Sequence, residues 1–305
     1  MPTPDLVSVV IATRNRPELV RKAIASVIAQ DYAGEIEVVL VFDQSEPDLT
    51  MASDAPGRTV RVITNTRTPG LAGARNSGIQ AAEGPWVAFC DDDDHWRPEK
   101  LTRQLAAGQR SSREVHLITC SIEVDFDGTL SVRSAGCDEV THAQLLRSRM
   151  SMLHSSTFLF RRSSLIELGM VDEFVPGSQN EDWDLLLRTA RLGPIIHVDE
   201  PLVVVLWGTT SFFSRTWDTK VSSLHWMLEH HPELQTDRKG LARVYGQIAF
   251  GEASRPDRRE SLRYAGRALR KDPLQWRAVV SGAVALRLVS PARVLNTLHK
   301  YGRGV

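Results

Sequence analysis

Apolar residues fall in short, nearly unbroken runs through the first 210 positions and in helical spacing beyond about 216. Leu6-Val7-Ser8-Val9-Val10-Ile11-Ala12 and Ile36 to Phe42 are rich in β-branched residues, the pattern of parallel strands buried on both faces. Between them Pro17 opens a helix to about Gln30, with Leu19, Ala23, Ile24, Val27 and Ile28 on one face. Strand, helix and strand in this order form a βαβ unit with a right-handed crossover. Val60 to Ile63 predicts a third strand, Asn65 to Gly73 a polar loop, Ala74 to Ala82 a small-residue helix, and Pro85 to Cys90 a fourth strand. Further on, the pattern predicts a helix over Pro98 to Gln109 and strands over Val115 to Val124 and Thr129 to Val132, turning at Asp127-Gly128. A strand over Ser156 to Phe160, short helices from Ser163 and Glu181, and strands over Val198 to Leu206 complete the body. Helices then run over 216–230, 238–253, 258–271, 274–288 and 291–301.

The division is therefore an α/β domain over 1–215, with halves at about 1–110 and 111–215, and a helical extension over 216–305. Charge agrees with it. Net charge is zero, yet from Asp237 onward 15 Lys/Arg face 5 Asp/Glu, a difference of +10, so the first 236 residues carry −10. Basic residues on the last helices (Arg277, Arg287, Arg293, Lys300 and Arg303, which with Trp276 lie among apolar positions) suit an anionic membrane surface, a second subunit or the acidic body. The apolar character of Val279 to Leu288 favours packing as core. Cys90, Cys120 and Cys137 have no metal spacing and read as buried thiols of a reducing compartment. No leader and no membrane-length apolar stretch is legible, so the expected location is cytoplasmic, with contact at the inner face of a membrane left open.

The candidate chemistry begins where the fourth strand stops at Asp91-Asp92-Asp93-Asp94-His95. Four adjacent carboxylates repel one another, and at the carboxyl end of a buried strand they form a seat for magnesium or manganese. A solvated acidic turn is the plainer alternative. Asp43 ends the second strand in the same way, and ligands of open α/β sheets bind along that edge. Glu181 and Asp182 stand in the first turn of a helix, where acids complement the dipole. Ser178 to Glu181 fits a capping box that would occupy Glu181 and leave Asp182 available. Asp184 and Arg188 are spaced to pair on the helix surface. His154 has the chemistry to face phosphates or simply to pack, and Trp207 to Arg215 is a candidate lid or an ordinary loop.

Val9-Val10-Ile11-Ala12-Thr13-Arg14-Asn15-Arg16, Gly73-Ala74-Arg75-Asn76-Ser77-Gly78, Phe89 to Trp96 and Glu181-Asp182-Trp183-Asp184 together resemble the family 2 glycosyltransferases over about residues 6 to 210. The resemblance implies a GT-A fold, a Rossmann-like nucleotide-sugar-binding domain with a mixed sheet, and inverting sugar transfer. It implies that Ala12 and Asp43 hold the nucleotide base and that Arg75 lies near the ribose and phosphates. Asp91 to Asp93 would form the DxD-type motif, with Asp93 the direct Mn2+ or Mg2+ ligand and Asp91 or Asp92 orienting ribose hydroxyls or metal-bound water. Asp182 would be the catalytic base. The family commonly has two acids at the end of the second strand, whereas here Phe42 precedes Asp43. The expected donor is a UDP-sugar, with GDP and dTDP as alternatives, and the acceptor a saccharide, lipid-linked or small-molecule hydroxyl. No nucleic-acid partner is expected. The competing functions are a non-catalytic nucleotide- or sugar-binding protein of the same fold, and a nucleotidyltransferase.

Overall fold

The computed structural model describes residues 5–126, 128–207, 217–255 and 258–300. They divide into two compact units. The first comprises Met1–His142, Met150–Glu173 and Glu181–Thr209, and the second Ala143–Arg149, Phe174–Asn180 and Thr210–Val305.

The first unit is built on one mixed sheet. β1 (Val7–Thr13), β2 (Ile36–Phe42), β4 (Arg58–Thr64) and β5 (Trp86–Phe89) are parallel, in the spatial order β4-β2-β1-β5. β1 and β2 are almost wholly buried, as their unbroken apolar runs require. The sheet continues through β10 (Leu159–Arg161), antiparallel to both β5 and β7 (Leu117–Phe126), to the long β11 (Ile195–Trp207) and then β6 (His95–Trp96). β3 (Ser53–Ala55), β8 (Thr129–Arg133) and β9 (Glu139–Val140) add short edges. The register of β11 against β7 slips around Pro201, which cannot donate to the ladder.

Helices α1 (Pro17–Ile28), α2 (Leu71–Ala81), α3 (Lys100–Arg110), α5 (Arg162–Glu167) and α6 (Glu181–Ala190) belong to this unit. The small residues of α2 have a packing reason. A Cβ on Gly78 would come within 2.3 Å of Val10 Cγ1, and one on Gly73 within 1.9 Å of the Thr68 carbonyl oxygen. Larger residues would lift α2 off β1 and off the loop before it. Phe89, Phe158 and Phe160 pack as a triad at 5.8 to 6.4 Å beneath the carboxyl edge of β5. The fully buried Lys100 lays its ammonium 3.7 Å over the Trp96 ring and donates to Gln104, 2.8 Å. Burial lowers its pKa to about 8.

The second unit contains most of α4 (His142–Arg147), then α7 (Trp217–His230), α8 (Arg238–Ser254), α9 (Arg258–Lys271), α10 (Trp276–Ala285) and α11 (Pro291–Lys300). α8 is its axis, with Leu241, Val244, Ile248 and Phe250 buried and Asp237 capping its first turn through the Gly240 N–H. Trp217 meets Phe250 edge-on at 5.4 Å. Among the described residues no helix is long and apolar enough to cross a membrane.

Three expectations change. Val279, Leu286 and Leu288 are 62%, 60% and 76% exposed, so the stretch expected to be core turns only Ala278, Ser281, Val284 and Ala285 inward. Cys90 and Cys120 are buried, but Cys137 is half-exposed. Ser155–Thr157 is a short 3-10 turn, and the strand begins only at Leu159. The candidate lid lies outside the described residues beyond Trp207, whose ring stacks against Arg133 at 4.1 Å.

Candidate active site

The site lies along the carboxyl ends of β2, β1 and β5, where the chain leaves the sheet as three consecutive acidic or polar corners. Asp43 follows β2, its N–H bonded to the Thr13 carbonyl at 3.0 Å. Its carboxylate accepts from Asn65 Nδ2 at 2.8 Å, Gln44 Nε2 at 2.9 Å and the Gly70 N–H at 3.1 Å. The carboxylate thus ties the 65–70 loop to the start of α2. Ala12, on β1, is half-exposed in register with Val41.

The four aspartates leave β5 in a tight turn closed by Asp94 N–H to the Asp91 carbonyl, 3.1 Å. Each has a different environment. Asp91 accepts from Arg75 Nη2 at 2.5 Å and from Ser155 Oγ at 3.1 Å. Burial works to raise its pKa, but the Arg75 charge, then His154 and the hydrogen bonds, outweigh it and hold the carboxyl below its ordinary value. Asp92 is gripped by Thr13 Oγ1 at 2.8 Å and Arg16 Nη1 at 3.0 Å, yet burial still raises it. Asp93 shares the same Arg16 nitrogen at 2.9 Å, and burial with the charges of Asp94, Asp91 and Asp92 raises it to about 7. Asp94 is sealed, taking Ser156 Oγ at 2.5 Å and the Leu206 N–H at 3.3 Å.

His154 opens no strand. It instead caps the 3-10 turn and inserts between the acids, Nδ1 3.3 Å from Asp94 Oδ2 and Nε2 4.0 Å from Asp91 Oδ2. One donor atom each from Asp91, Asp94 and His154 lies within 4.8 Å of the others, and that set has the chemistry to hold a divalent ion. Two carboxylate oxygens and one imidazole nitrogen fit manganese better than magnesium, which favours oxygen alone. Asp93 stands outside this set, paired with Arg16.

Burial opposes protonation of His154, but Asp94, Asp91 and Asp182 together raise its pKa to about 9. A histidine raised on folding stabilises the native state fully below its unfolded pKa, near 6.5, and loses that contribution as pH rises through the folded value. In chelator, stability should therefore decline from about pH 6.5 to 9, and His154→Gln should flatten that slope. Urea midpoints across this range measure it; an equal slope in the variant would exclude His154 as the group responsible.

Arg75, 3% exposed, joins the two halves of the site. Nη2 holds Asp91 and Ser155, and Nη1 donates to Glu181 at 2.6 Å. Glu181 thus spends its carboxylate on a buried ion pair, where the sequence suggested a helix cap. Asp182 follows in the first turn of α6, buried, with Oδ1 accepting its neighbour Trp183 N–H at 2.8 Å. Asp184 pairs with Arg188 at 2.5 Å as the spacing predicts, but Asp184 is buried and Arg188 half-buried, and Arg188 also bonds the Leu168 and Met170 carbonyls. Sequence reasoning missed Thr13, Arg16, Ser155 and Ser156. Their signal was present in two polar breaks beside apolar runs, at Thr13 to Arg16 and at His154 to Thr157.

Residues 8–169 match the sequence profile of glycosyl transferase family 2. The succinoglycan biosynthesis protein ExoO of Rhizobium meliloti is 34% identical over 160 residues, which cover 52% of this chain and 44% of that protein. The chain therefore spans less than half of that relative's length. Among solved structures, S. aureus TarS 1-349 in complex with UDP-GlcNAc superposes with a TM-score of 0.62 at 16% identity, covering 97% of this chain and 92% of that one. The mannosyltransferase PcManGT from Pyrobaculum calidifontis, in complex with GDP-Man and Mn2+, superposes with a TM-score of 0.56 at 18% identity over 98% and 85% of the two chains. At such identities the superpositions establish the GT-A fold, and the sequence match establishes descent: the chain belongs to glycosyl transferase family 2.

Proposed function

We propose that this protein transfers a sugar, with inversion, from a nucleotide-sugar donor to an acceptor hydroxyl, and that the donor is UDP-linked. One observation carries the reading: Asp91, Asp94 and His154 converge at the carboxyl edge of β5, and the Asp182 charge reaches the same histidine. The nucleotide would lie against Ala12 and Asp43, at the ends of β1 and β2. UDP is favoured because the similar TarS structure holds UDP-GlcNAc, and manganese because PcManGT holds Mn2+. A divalent cation bound at this edge would supply positive charge to offset the negative charge that builds on a departing diphosphate. Asp91, Asp94 and His154 would hold it, with Asp92 toward the ribose. His154 must give up its proton to ligate, so cation affinity rises with pH. Asp182, buried at the start of α6, takes the proton of the attacking hydroxyl as general base. The acceptor is best read as a growing saccharide, in keeping with the polysaccharide named for ExoO. The transferase domain is taken as residues 1–215 and the extension as 216–305.

A thermal-shift screen against UDP-, GDP- and dTDP-sugars with manganese tests the donor, since a ligand of the native state raises its apparent stability. Excess chelator is expected to abolish transfer and manganese to restore it; full activity in chelator would sink the metal reading. Two variants then separate the ligand sets. Asp94→Asn should lose the manganese-induced shift if Asp91, Asp94 and His154 hold the ion. Asp93→Asn should lose it instead if the DxD position implied by the family resemblance does.

A further inference from the structure

Two side chains outside the acidic edge grip the turn that carries His154. The buried positions of α3 are Lys100, Leu101 and Gln104. Leu101 is ordinary there, but a lysine and a glutamine on a core face each need polar partners. Gln104, 0% exposed, has three. Its Nε2 donates to the Thr157 carbonyl at 2.7 Å and to the Ile118 carbonyl at 3.1 Å, and its Oε1 accepts from Lys100 Nζ at 2.8 Å. An ammonium only donates, so the amide oxygen must face Lys100 and both N–H groups must face the carbonyls. The same ammonium lies over the ring of Trp96. Trp96 closes the circuit, its Nε1 donating to the Ser156 carbonyl at 3.1 Å.

The successive carbonyls of Ser156 and Thr157 are thus held by β6 and α3, while the side chains of the turn go to the acids. Ser155 Oγ donates to Asp91 at 3.1 Å and Ser156 Oγ to Asp94 at 2.5 Å, and His154 Nδ1 lies 3.3 Å from Asp94 Oδ2. The internal bonds of the turn are few: the Thr157 N–H to the His154 carbonyl at 2.8 Å and the Phe158 N–H to the Ser155 carbonyl at 3.0 Å. A single 3-10 turn has little stiffness of its own, so what grips it decides where His154 stands. Trp96 is itself anchored, its N–H bonded to Ser26 Oγ at 3.1 Å and its backbone paired with Val203 on β11.

We propose that Trp96 and Gln104 are positioning residues for the divalent cation, holding the His154 turn in reach of Asp91 and Asp94, with Lys100 fixing the orientation of the Gln104 amide. Neither residue is among the candidate ligands. The inference rests on the reading of the acidic edge as a cation site.

Two substitutions on different elements test it. Trp96→Phe keeps a ring beneath Lys100 and deletes the N–H given to Ser156. Gln104→Glu keeps the shape and the oxygen facing Lys100 and deletes the N–H groups given to Thr157 and Ile118. Its added charge would attract a cation, so weaker binding cannot be a charge effect. The full chain is titrated with manganese alone, at one pH and at a temperature where the variants are folded by circular dichroism. Each substitution should weaken manganese affinity about 10- to 100-fold, the usual effect of removing a group that orients a ligand. Tyr32→Phe, which removes a side-chain bond to the Asp5 carbonyl at 2.5 Å, should melt lower than the parent with unchanged manganese affinity. In chelator, amide hydrogen exchange over residues 155–158 should be faster in the two site variants and parental in Tyr32→Phe. Should one site variant fail to fold, the other decides. Folded site variants that melt lower but bind manganese like the parent would show that these side chains serve only the fold, and would overturn the positioning role alone. A parent that binds no manganese would instead sink the cation reading, and this inference with it.

Discussion

Asp182→Asn is expected to bind donor like the parent and to turn over some 10²- to 10⁴-fold more slowly, the range a general base supplies. The substitution preserves shape and the oxygen that accepts the Trp183 N–H, so the first turn of α6 should persist. What it removes is the ability to take a proton. The neighbouring residue is the control. Glu181 is committed to the buried guanidinium of Arg75, and Glu181→Gln weakens a charged hydrogen bond in a dry setting. That change should cost about 1–3 kcal/mol of stability and far less turnover per folded molecule. Melting curves and single-turnover rates on both variants separate the two roles. An Asp182→Asn enzyme that turned over at the parental rate with normal donor affinity would remove Asp182 from the catalytic role.

The sequence made the parallel half of the fold legible because those strands are buried on both faces and leave few readings. Val7 to Thr13 and Ile36 to Phe42 emerge within a residue of where their apolar runs lie. The antiparallel half was harder. β11 contains Asp199, Glu200 and Pro201, which interrupt its apolar pattern, and it continues because the slip against β7 absorbs them. Lys100 shows the same limit from another side. A lysine in an amphipathic helix reads as surface, and only the ring of Trp96 and the amide of Gln104 make its burial tolerable. In the site, the acidic run was plain, but its division of labour was not. Four identical residues in sequence differ through partners far away: Arg75 for Asp91, Thr13 and Arg16 for Asp92, Arg16 alone for Asp93, Ser156 and His154 for Asp94. No local pattern encodes those pairings.

Arg75→Met should be the most destabilising single change in the site. The parent side chain is buried and donates to Asp91, Ser155 and Glu181, with the Phe89 ring 5.4 Å from its guanidinium carbon. Methionine fills much of the volume but leaves two carboxylates facing a site without their cation. Breaking a buried pair by deleting one partner typically costs about 3–5 kcal/mol. The pH dependence should change sign as well. In the parent, Asp91 is held below its ordinary value, so its contribution is present above the unfolded carboxyl pKa and fades as pH falls. Without Arg75, burial and the neighbouring acids prevail, and Asp91 shifts upward. A carboxyl raised on folding stabilises below its unfolded pKa and loses that contribution as pH rises through the folded one. The variant should therefore regain part of its deficit between pH 7 and 5, where the parent gains nothing from this group. Arg75→Lys, which keeps the charge but lacks a fork to span both acids, should fall between the two. Urea unfolding in chelator at pH 7 and 5 measures all three proteins. A variant within about 0.5 kcal/mol of the parent at pH 7, the scale of an unremarkable surface substitution, would show that Arg75 does not hold the two halves of the site together.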